Sequence, residues 1–525
     1  MHTQADGDAR PFTSRRNFLR GASTTALGAG AAVAAAGCAS GGLSVAGQDA
    51  GTTAAQIPEN FGRMFPNLPP FAEPSDALTA ALTDIGKPGG LLDADDDLAA
   101  GPIALITDPA QLVVNRDNPS HTAGTTFFGQ FLDHDLTFDA ASPLGVPTDP
   151  SQSRNSRTPV LDLDSLYGGG PVASRQLYQA DRTKLRIESS GLFEDLPRGG
   201  EGQAVIGDPR NDENIIISGM QAAFIKFHNA VVDIVRDEGN RFPGGVFGEA
   251  RRRVTRHYQW LVIHEFLPQI VGQTLVDNTL RRRRWYRPEA PYMPVEFQGA
   301  AYRFGHSMVR PSYRANLAGD NGQPFFGFIF DPAAEGQADP VDFRGGARAP
   351  RRFIGWQTFF DFGDGEMKRN KRIDTQLSTP LFDLPLQTIA SGDPPTSLAT
   401  RNLLRHVTWS QPSGQAIAGA MGVAPLSAGD LSELAAYGIG LETSTPLWYY
   451  VLKEAEVVAD GLTLGPVGAR IVAECFIGVL QLDPTSYLNR FRWRPTLPSR
   501  NGSTGTFTMV DLLTLAGVDP TSRGQ

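Results

Sequence analysis
Apolar residues recur along this chain at helical rather than strand spacing. Phe127, Phe128, Phe131, Leu132 and Leu136 form one stripe, and the pattern predicts a buried helix over them. Met220 to Val235 repeats the pattern over a longer run and reads as a core helix. Phe297, Ala301, Phe304 and Met308 mark another helical stripe, and the Ala/Val/Leu-rich stretch from Gly465 to Leu488 a further core helix. Leu512-Leu513-Thr514-Leu515 begins a short last one. The 57 glycines and 39 prolines are spread through the segments between these runs, and no internal repeat or linker interrupts residues 60–520. The expectation is a mainly α fold: one large helical domain over residues 59–520, with long loops and little β structure.

The first stripe is interrupted where interruption is costly. Gly129-Gln130-Phe131-Leu132-Asp133-His134-Asp135-Leu136-Thr137 sets three polar residues in the middle of the apolar run. A buried carboxylate is unfavourable unless it is paired or coordinated, so Asp133, His134 and Asp135 each need a partner. Successive helix residues point about 100° apart, so the three face three directions. Gln130 and His134, four apart, share a face. Such a helix can serve two sites, with a Gln/His pair on one side and a carboxylate on another.

Later segments carry partners of suitable chemistry. Thr158-Pro159-Val160-Leu161-Asp162-Leu163-Asp164 offers the Thr158 hydroxyl, the Val160 carbonyl and the Asp162 and Asp164 carboxylates. Calcium takes several such hard oxygens from a flexible loop; an Asp-rich turn without an ion is the plainer reading. Gly207-Asp208-Pro209-Arg210-Asn211-Asp212-Glu213-Asn214 places Arg210 and Glu213 at helical spacing on one face. Ala301-Tyr302-Arg303-Phe304-Gly305-His306-Ser307 sets a histidine on the 297–308 stripe, and Arg401-Asn402-Leu403-Leu404-Arg405 follows.

Taken in this order, these segments resemble the animal-type haem peroxidases of the peroxidase–cyclooxygenase superfamily. The resemblance implies a buried haem b in one helical domain. It implies that His134 and Gln130 stand over the haem iron, with Arg210 as the catalytic arginine. His306 would be the proximal iron ligand and Asn402 its hydrogen-bonded partner. Arg303 and Arg405 match arginines that meet the haem propionates. Asp133 and Glu213 occupy positions that can form esters to the haem. Asn214 stands where myeloperoxidase has a methionine bonded to a haem vinyl, so that third link is expected to be absent. The calcium ligands implied are Asp135, Thr158, Val160, Asp162 and Asp164, and the ion would pin the helix that carries His134.

The implied activity is reduction of hydrogen peroxide, with oxidation of a small phenolic or aromatic donor or of a halide (iodide, thiocyanate, bromide). His134 would carry the peroxide proton and Arg210 would stabilise the developing charge. One rival is a haem fatty-acid dioxygenase of the cyclooxygenase-like branch. Those enzymes place a radical-forming tyrosine three residues before the proximal histidine. That position is Arg303 here, and Tyr302 is one step, about 100°, away. The other rival is a haem carrier or adhesion module, and the retention of both His134 and Arg210 speaks against it.

Composition sets limits on these readings. The chain has 525 residues, 41% hydrophobic and 20% charged, with ample material for a large core. A formal charge of −9 argues against nucleic acid as the main partner. Ser14-Arg15-Arg16-Asn17-Phe18-Leu19 matches the twin-arginine export pattern. The Ala/Gly-rich stretch from Gly21 to Gly37 is too weakly apolar for a membrane span. Residues 1–40 thus read as a signal segment and 41–58 as a linker. Ala35-Ala36-Gly37-Cys38 is a candidate lipoprotein site, with Cys38 as a lipid anchor. The location expected is periplasmic, extracellular or lipid-anchored at the cell surface. Only Cys475 then remains in the body, so no disulfide is expected, unlike in the disulfide-rich animal relatives.

Several other motifs are set aside. Asp93-Ala94-Asp95-Asp96-Asp97 begins like an EF-hand, but Leu98 and Ala104 stand where Gly and Glu are needed, which leaves a solvated acidic turn. His264-Glu265 lacks a second histidine, since Pro268 stands in its place. His228 reads as structural, and Arg251–Arg253 and Arg281–Arg284 as solvated helix faces.

Overall fold
A computed structural model describes residues 57–189, 193–239, 242–319, 321–347 and 350–524. The readings on residues 14–38, including Cys38, lie outside the described residues. Six helices build the core around the site and are numbered here in chain order: α1 (Gly124–Leu136), α2 (Ile215–Asp237), α3 (Gly245–Leu261), α4 (Leu398–Thr408), α5 (Leu447–Ala459) and α6 (Pro466–Leu482). Among the described residues the β structure is three two-stranded antiparallel ribbons: Asp117–Thr122 with Arg369–Lys371, Glu188–Ser189 with Glu194–Asp195, and Ser312–Arg314 with Phe326–Phe328. The fold is mainly α, as the periodicity implied.

α1 has no side-chain cap at its start. It is held instead by its apolar face, because Phe127, Phe128, Phe131, Leu132 and Leu136 are all buried. Phe131 stacks on Phe224 of α2 at 4.4 Å, and Phe128 meets Phe266 edge-on at 5.9 Å. Burial of each such ring stabilises the helix by about 1.5–3 kcal/mol. Gly129 lets the core approach closely: a Cβ there would lie 3.1 Å from the Phe266 ring. The opposite face, with Gln130, Asp133 and His134, is left to line a cavity.

α2 is the long helix expected over Met220–Val235, extended at both ends. Asn214 caps it by accepting from the Ile216 and Ile217 N–H groups at 3.1 and 2.9 Å, worth about 1 kcal/mol. It is apolar and long enough to cross a membrane by composition, yet most of its length is buried in the core. His228 within it is structural: its Nε2 meets the Thr183 carbonyl at 2.9 Å and its Nδ1 the Tyr167 hydroxyl at 3.0 Å.

Three expectations are corrected. The stripe Phe297–Met308 is not one helix. Val295–Gln298 ends at Gly299, Ala300 leaves helical dihedrals (φ −140°, ψ −78°), and Ala301–Met308 continues as a 3-10 helix. Gly299 packs so tightly on Gln411 and Trp409 that a Cβ would overlap them. The Asp93–Asp97 turn is not simply solvated. Asp96 is buried, accepting from Asn115 at 2.6 Å and from the Thr379 N–H at 2.9 Å, while Asp93 accepts from the Thr379 hydroxyl at 2.6 Å. Side chains of Arg251–Arg253 also find partners. Arg251 lies over Tyr167 at 5.0 Å and 3.5 Å from Asp162, and Arg253 is clamped by Glu238 and Glu249.

Candidate active site
One cavity of about 720 Å³ brings together segments far apart in sequence. Gln130, Asp133 and His134 enter it from α1, Arg210 and Glu213 from the turn before α2, and Arg303 and His306 from the 3-10 helix. Arg401 and Arg405 enter from α4, four residues apart and so on one face. In the 3-10 helix, residues three apart eclipse, which is why Arg303 and His306 both reach the cavity.

His134 is fixed by its neighbours. Its Nδ1 lies 2.7 Å from the Asn211 amide oxygen, and Asn211 in turn donates to Gln221 at 2.9 Å. An amide oxygen can only accept, so the ring proton sits on Nδ1 and Nε2 keeps a free lone pair. Burial, and then the charge of Arg210, push its pKa down to about 4. The ring is therefore neutral and basic at Nε2. That nitrogen lies 3.9 Å from Glu213, whose own pKa burial raises to about 8 against the pull of Arg210. Gln130 donates to the same Glu213 carboxyl and accepts weakly from Asn214 at 3.4 Å.

Arg210 is clamped from behind. Its Nε and Nη2 donate to the two oxygens of Asp208 at 3.0 and 2.8 Å, and its backbone N–H bonds the same carboxylate at 2.9 Å. Nη2 also donates to the His134 and Thr137 carbonyls, and the guanidinium lies 4.4 Å over the Phe138 ring. Nη1 is left facing Asp133 at 3.6 Å. Asp208 is fully buried. Burial alone would raise its pKa, but Arg210 and Arg157 outweigh that and hold it well below the usual carboxylate range. Arg157 Nε lies 2.8 Å from Asp208, an ionic contact too bent to satisfy that N–H as a hydrogen bond.

On the other wall, burial and then Arg303 press the His306 pKa down to about 3, so this imidazole is neutral too. Its Nδ1 lies 2.7 Å from the Asn402 side-chain nitrogen, while the Asn402 oxygen accepts from Arg303 at 2.9 Å. A histidine that binds metal through Nε2 carries its proton on Nδ1 and needs an acceptor there. Amide oxygen and nitrogen are told apart only by their bonds, and turning the Asn402 amide would supply that acceptor at the cost of its bond from Arg303.

Haem fits this cavity. It has a neutral imidazole on one wall, a second with a free nitrogen on the other, and a surplus of buried cations at one rim. Arg303 is pushed down to about 10 by burial and then by Arg405, and Arg405 has one carboxylate partner, Asp139, at 2.8 Å. Such cations suit the carboxylates of a porphyrin. A Cβ at Gly305, beside His306, would meet nothing within 4 Å, so that face stays open.

The carboxylates of Asp135, Asp162 and Asp164 each offer an oxygen within 4.8 Å of the others. Asp135 is buried and accepts from the Leu163 N–H at 3.0 Å and the Ser165 and Tyr258 hydroxyls at 3.0 and 3.1 Å. Thr158 and Val160 belong to the same turn: the Thr158 N–H donates to Asp164 at 3.0 Å and the Val160 carbonyl accepts from Asp162 at 3.1 Å. Every donor in the set is a hard oxygen, the chemistry calcium selects. Arg157, at 3.5 Å, joins Asp164 to Asp208 and so joins this loop to Arg210.

Four contributors escaped the sequence reading: Asn211, Asp208, Arg157 and Arg401. Asn211 and Asp208 flank Arg210 inside its own motif, so a search of that turn for acceptors could have found them. Arg157 carried no signal. Tyr302, set aside as rotated off, still lines the cavity and donates its hydroxyl to the Gly129 carbonyl at 2.9 Å.

Residues 140–326 match the family model for animal haem peroxidase. That segment holds Asp162, Asp164, Arg210, Glu213 and His306, while α1 and α4 lie outside it. The chain is 23% identical over 237 residues to peroxidase skpo-1 of Caenorhabditis elegans, covering 38% of this chain and 36% of that protein. It is 23% identical over 222 residues to thyroid peroxidase of Mus musculus, covering 37% and 24%. The chain thus spans well under half the length of these curated relatives. In fold it is similar to peroxidase A from Dictyostelium discoideum, with TM-score 0.58 and 16% identity over 87% of this chain and 93% of that one. It is also similar to a fatty acid alpha-dioxygenase of Arabidopsis thaliana, with TM-score 0.50 and 18% identity over 70% and 67%.

Proposed function
We propose that this chain, which matches the animal haem peroxidase family over residues 140–326, is a haem-dependent peroxidase. It would reduce hydrogen peroxide and oxidise a small phenolic or aromatic donor, or a halide such as iodide, thiocyanate or bromide. The observation that carries this reading is His134: buried and neutral, with its proton locked on Nδ1 by Asn211 and its free Nε2 in the same cavity as Arg210. Haem bound through His306 would supply the redox chemistry of peroxide cleavage. Peroxide admitted to the cavity would meet Nε2 of His134, which would take the proton from one oxygen and hand it to the departing one. Arg210, held at Nε and Nη2, presents Nη1 to the charge that develops as the oxygen–oxygen bond breaks. Asn402 would set the basicity of His306, and Arg303 and Arg405 would hold the propionates. Asp133 and Glu213, both lining the cavity, are the candidate ester links. Asn214 offers no sulfur for a third, and its oxygen is taken up in capping α2.

Calcium in the Asp135–Asp162–Asp164 loop, with Thr158 and Val160, belongs to the same reading. So does export by the twin-arginine route, with Cys38 as a candidate lipid anchor. The test is reconstitution with haem b. A Soret band, with peroxide-dependent oxidation of guaiacol or bromide that is lost in the His134→Ala variant, is expected. Haem binding without turnover would overturn the reading.

The fold similarity to alpha-dioxygenases and the cavity position of Tyr302 favour a second reading, a haem fatty-acid dioxygenase. Oxygen uptake driven by a fatty acid, and abolished in Tyr302→Phe, would select it.

A further inference from the structure
Away from the cavity, one surface departs from the acidic character of the chain. Asn489-Arg490-Phe491-Arg492-Trp493-Arg494 contains three arginines and no acid, in a chain of formal charge −9. A turn closes this loop, the Trp493 N–H donating to the Arg490 carbonyl at 3.1 Å, so Phe491 and Arg492 form its corner. Phe491 is 90% exposed, the most exposed of the large apolar side chains on this surface. Arg492 takes φ +51°, where a residue with a Cβ is uncommon, and its guanidinium lies 5.0 Å over the Phe491 ring.

The corner is rigidly mounted. Trp493 packs against Tyr487 at 5.4 Å, His257 at 5.2 Å and Trp260 at 6.1 Å. More cations surround it. Arg494 lies 5.4 Å over Trp260, and Arg256 feels the like charges of both Arg252 and Arg490. The Arg281–Arg284 run abuts the same end of α6: Arg283 donates to the Gln481 side chain at 2.7 Å, and Asn489 donates to the Gln481 carbonyl at 3.2 Å. The acids nearby are engaged. Glu249 is held by Arg252 and Arg253, and Asp483 is buried and accepts from Thr485.

We propose that this corner docks the protein on an anionic lipid surface, with Phe491 entering the headgroup–acyl boundary and Arg490, Arg492 and Arg494 facing lipid phosphates. A lone projecting aromatic ring gains from an apolar layer, and the arginines around it from anionic headgroups. A nucleic acid would satisfy the arginines but offers no layer for a protruding ring to enter.

The test is sedimentation of the full chain with vesicles of phosphatidylcholine alone, and with roughly a third phosphatidylglycerol. Binding is expected to the anionic vesicles only, and to weaken with salt. Phe491→Ser should lower the partition coefficient about tenfold, and each Arg→Gln change at 490, 492 or 494 about fivefold. Both should leave the circular dichroism spectrum unchanged. Equal binding to neutral vesicles would overturn the proposal, as would unchanged binding in Phe491→Ser and the triple Arg→Gln variant. Tighter binding of a single-stranded oligonucleotide than of anionic vesicles would do the same.

Discussion

Asp208 is the residue whose loss should separate fold from chemistry most sharply. Its carboxylate takes three hydrogen bonds from Arg210 and an ionic contact from Arg157, and it is sealed from water. In the Asp208→Asn variant one oxygen becomes a donor, which faces guanidinium N–H groups that are donors too. Two buried cations then lose the carboxylate they share, leaving only the longer contacts to Asp133 and Asp164, and breaking a buried pair in this way costs about 3–5 kcal/mol. The melting temperature hides most of that. Unfolding entropy of about 2 cal/mol/K per residue, over a body of roughly 470 residues, makes 1 kcal/mol worth about 1 °C, so Tm falls by only about 3–5 °C. The rate should not hide it. An arginine that is no longer aimed loses the charge stabilisation of a positioned donor, about 10²–10³-fold. Stopped-flow measurement of the peroxide-dependent step, on enzyme with an intact Soret band, checks this. Asp208→Asn should approach Arg210→Gln in rate, and the double variant should be no slower than the worse single one, because Asp208 acts through Arg210. An Asp208→Asn rate within twofold of the parent, or additive losses in the double variant, would refute the reasoning.

The remaining expectations are briefer. His306→Ala should lose most bound haem; an unchanged Soret band with full turnover would show that the iron ligand lies elsewhere. Chelation, or Asp162→Asn, should lower Tm and remove a stoichiometric ion from elemental analysis, since binding to the native state at 100 times Kd stabilises by about 2.7 kcal/mol; a Tm indifferent to both would remove calcium from the account. Glu265, raised to about 7 by burial, holds a proton in the folded state that the unfolded chain releases near its ordinary value of 4.5. Its contribution is therefore full below about pH 4.5 and is lost as pH rises through about 7. Relative to the parent, Glu265→Gln should gain stability between about pH 5 and pH 8, by up to roughly 3 kcal/mol; parallel pH profiles of the two proteins would contradict this.

The long-range architecture was legible because burial has a period. α1, α2 and α6 stood out as apolar runs at helical spacing, and the structure places all three in the core. The polar interruptions were legible for the same reason: a Gln, two Asp and a His among buried phenylalanines need partners, and residues with the right chemistry stood downstream. What escaped depends on contacts between segments. Nothing in Arg157 itself says that its guanidinium bridges Asp164 and Asp208. The break after Gly299 falls where Gln411 and Trp409, more than 100 residues away, pack against the backbone. Arg251 read as surface because a run of three arginines on an amphipathic helix normally is, yet Tyr167 and Asp162 come up against it from another loop.

The Arg157 bridge gives the acidic loop a reason to matter at the cavity. An arginine that stabilises a developing anion has two needs that conflict. It must be held still, which calls for a carboxylate, and it must keep a positive field, which a carboxylate cancels. Asp208 meets the first need at Nε and Nη2 and leaves Nη1 toward the cavity. Arg157 addresses the second, because its guanidinium offsets part of the Asp208 charge that would otherwise cancel that of Arg210. Asp164, 3.5 Å from Arg157, draws that charge back toward the loop. A divalent ion among Asp135, Asp162 and Asp164 would occupy Asp164 and release the charge of Arg157 to Asp208. The same ion would fix α1 through Asp135, one residue from His134. With such an ion bound, the loop would set both the position of His134 and the field at Arg210, through one continuous chain of buried charges.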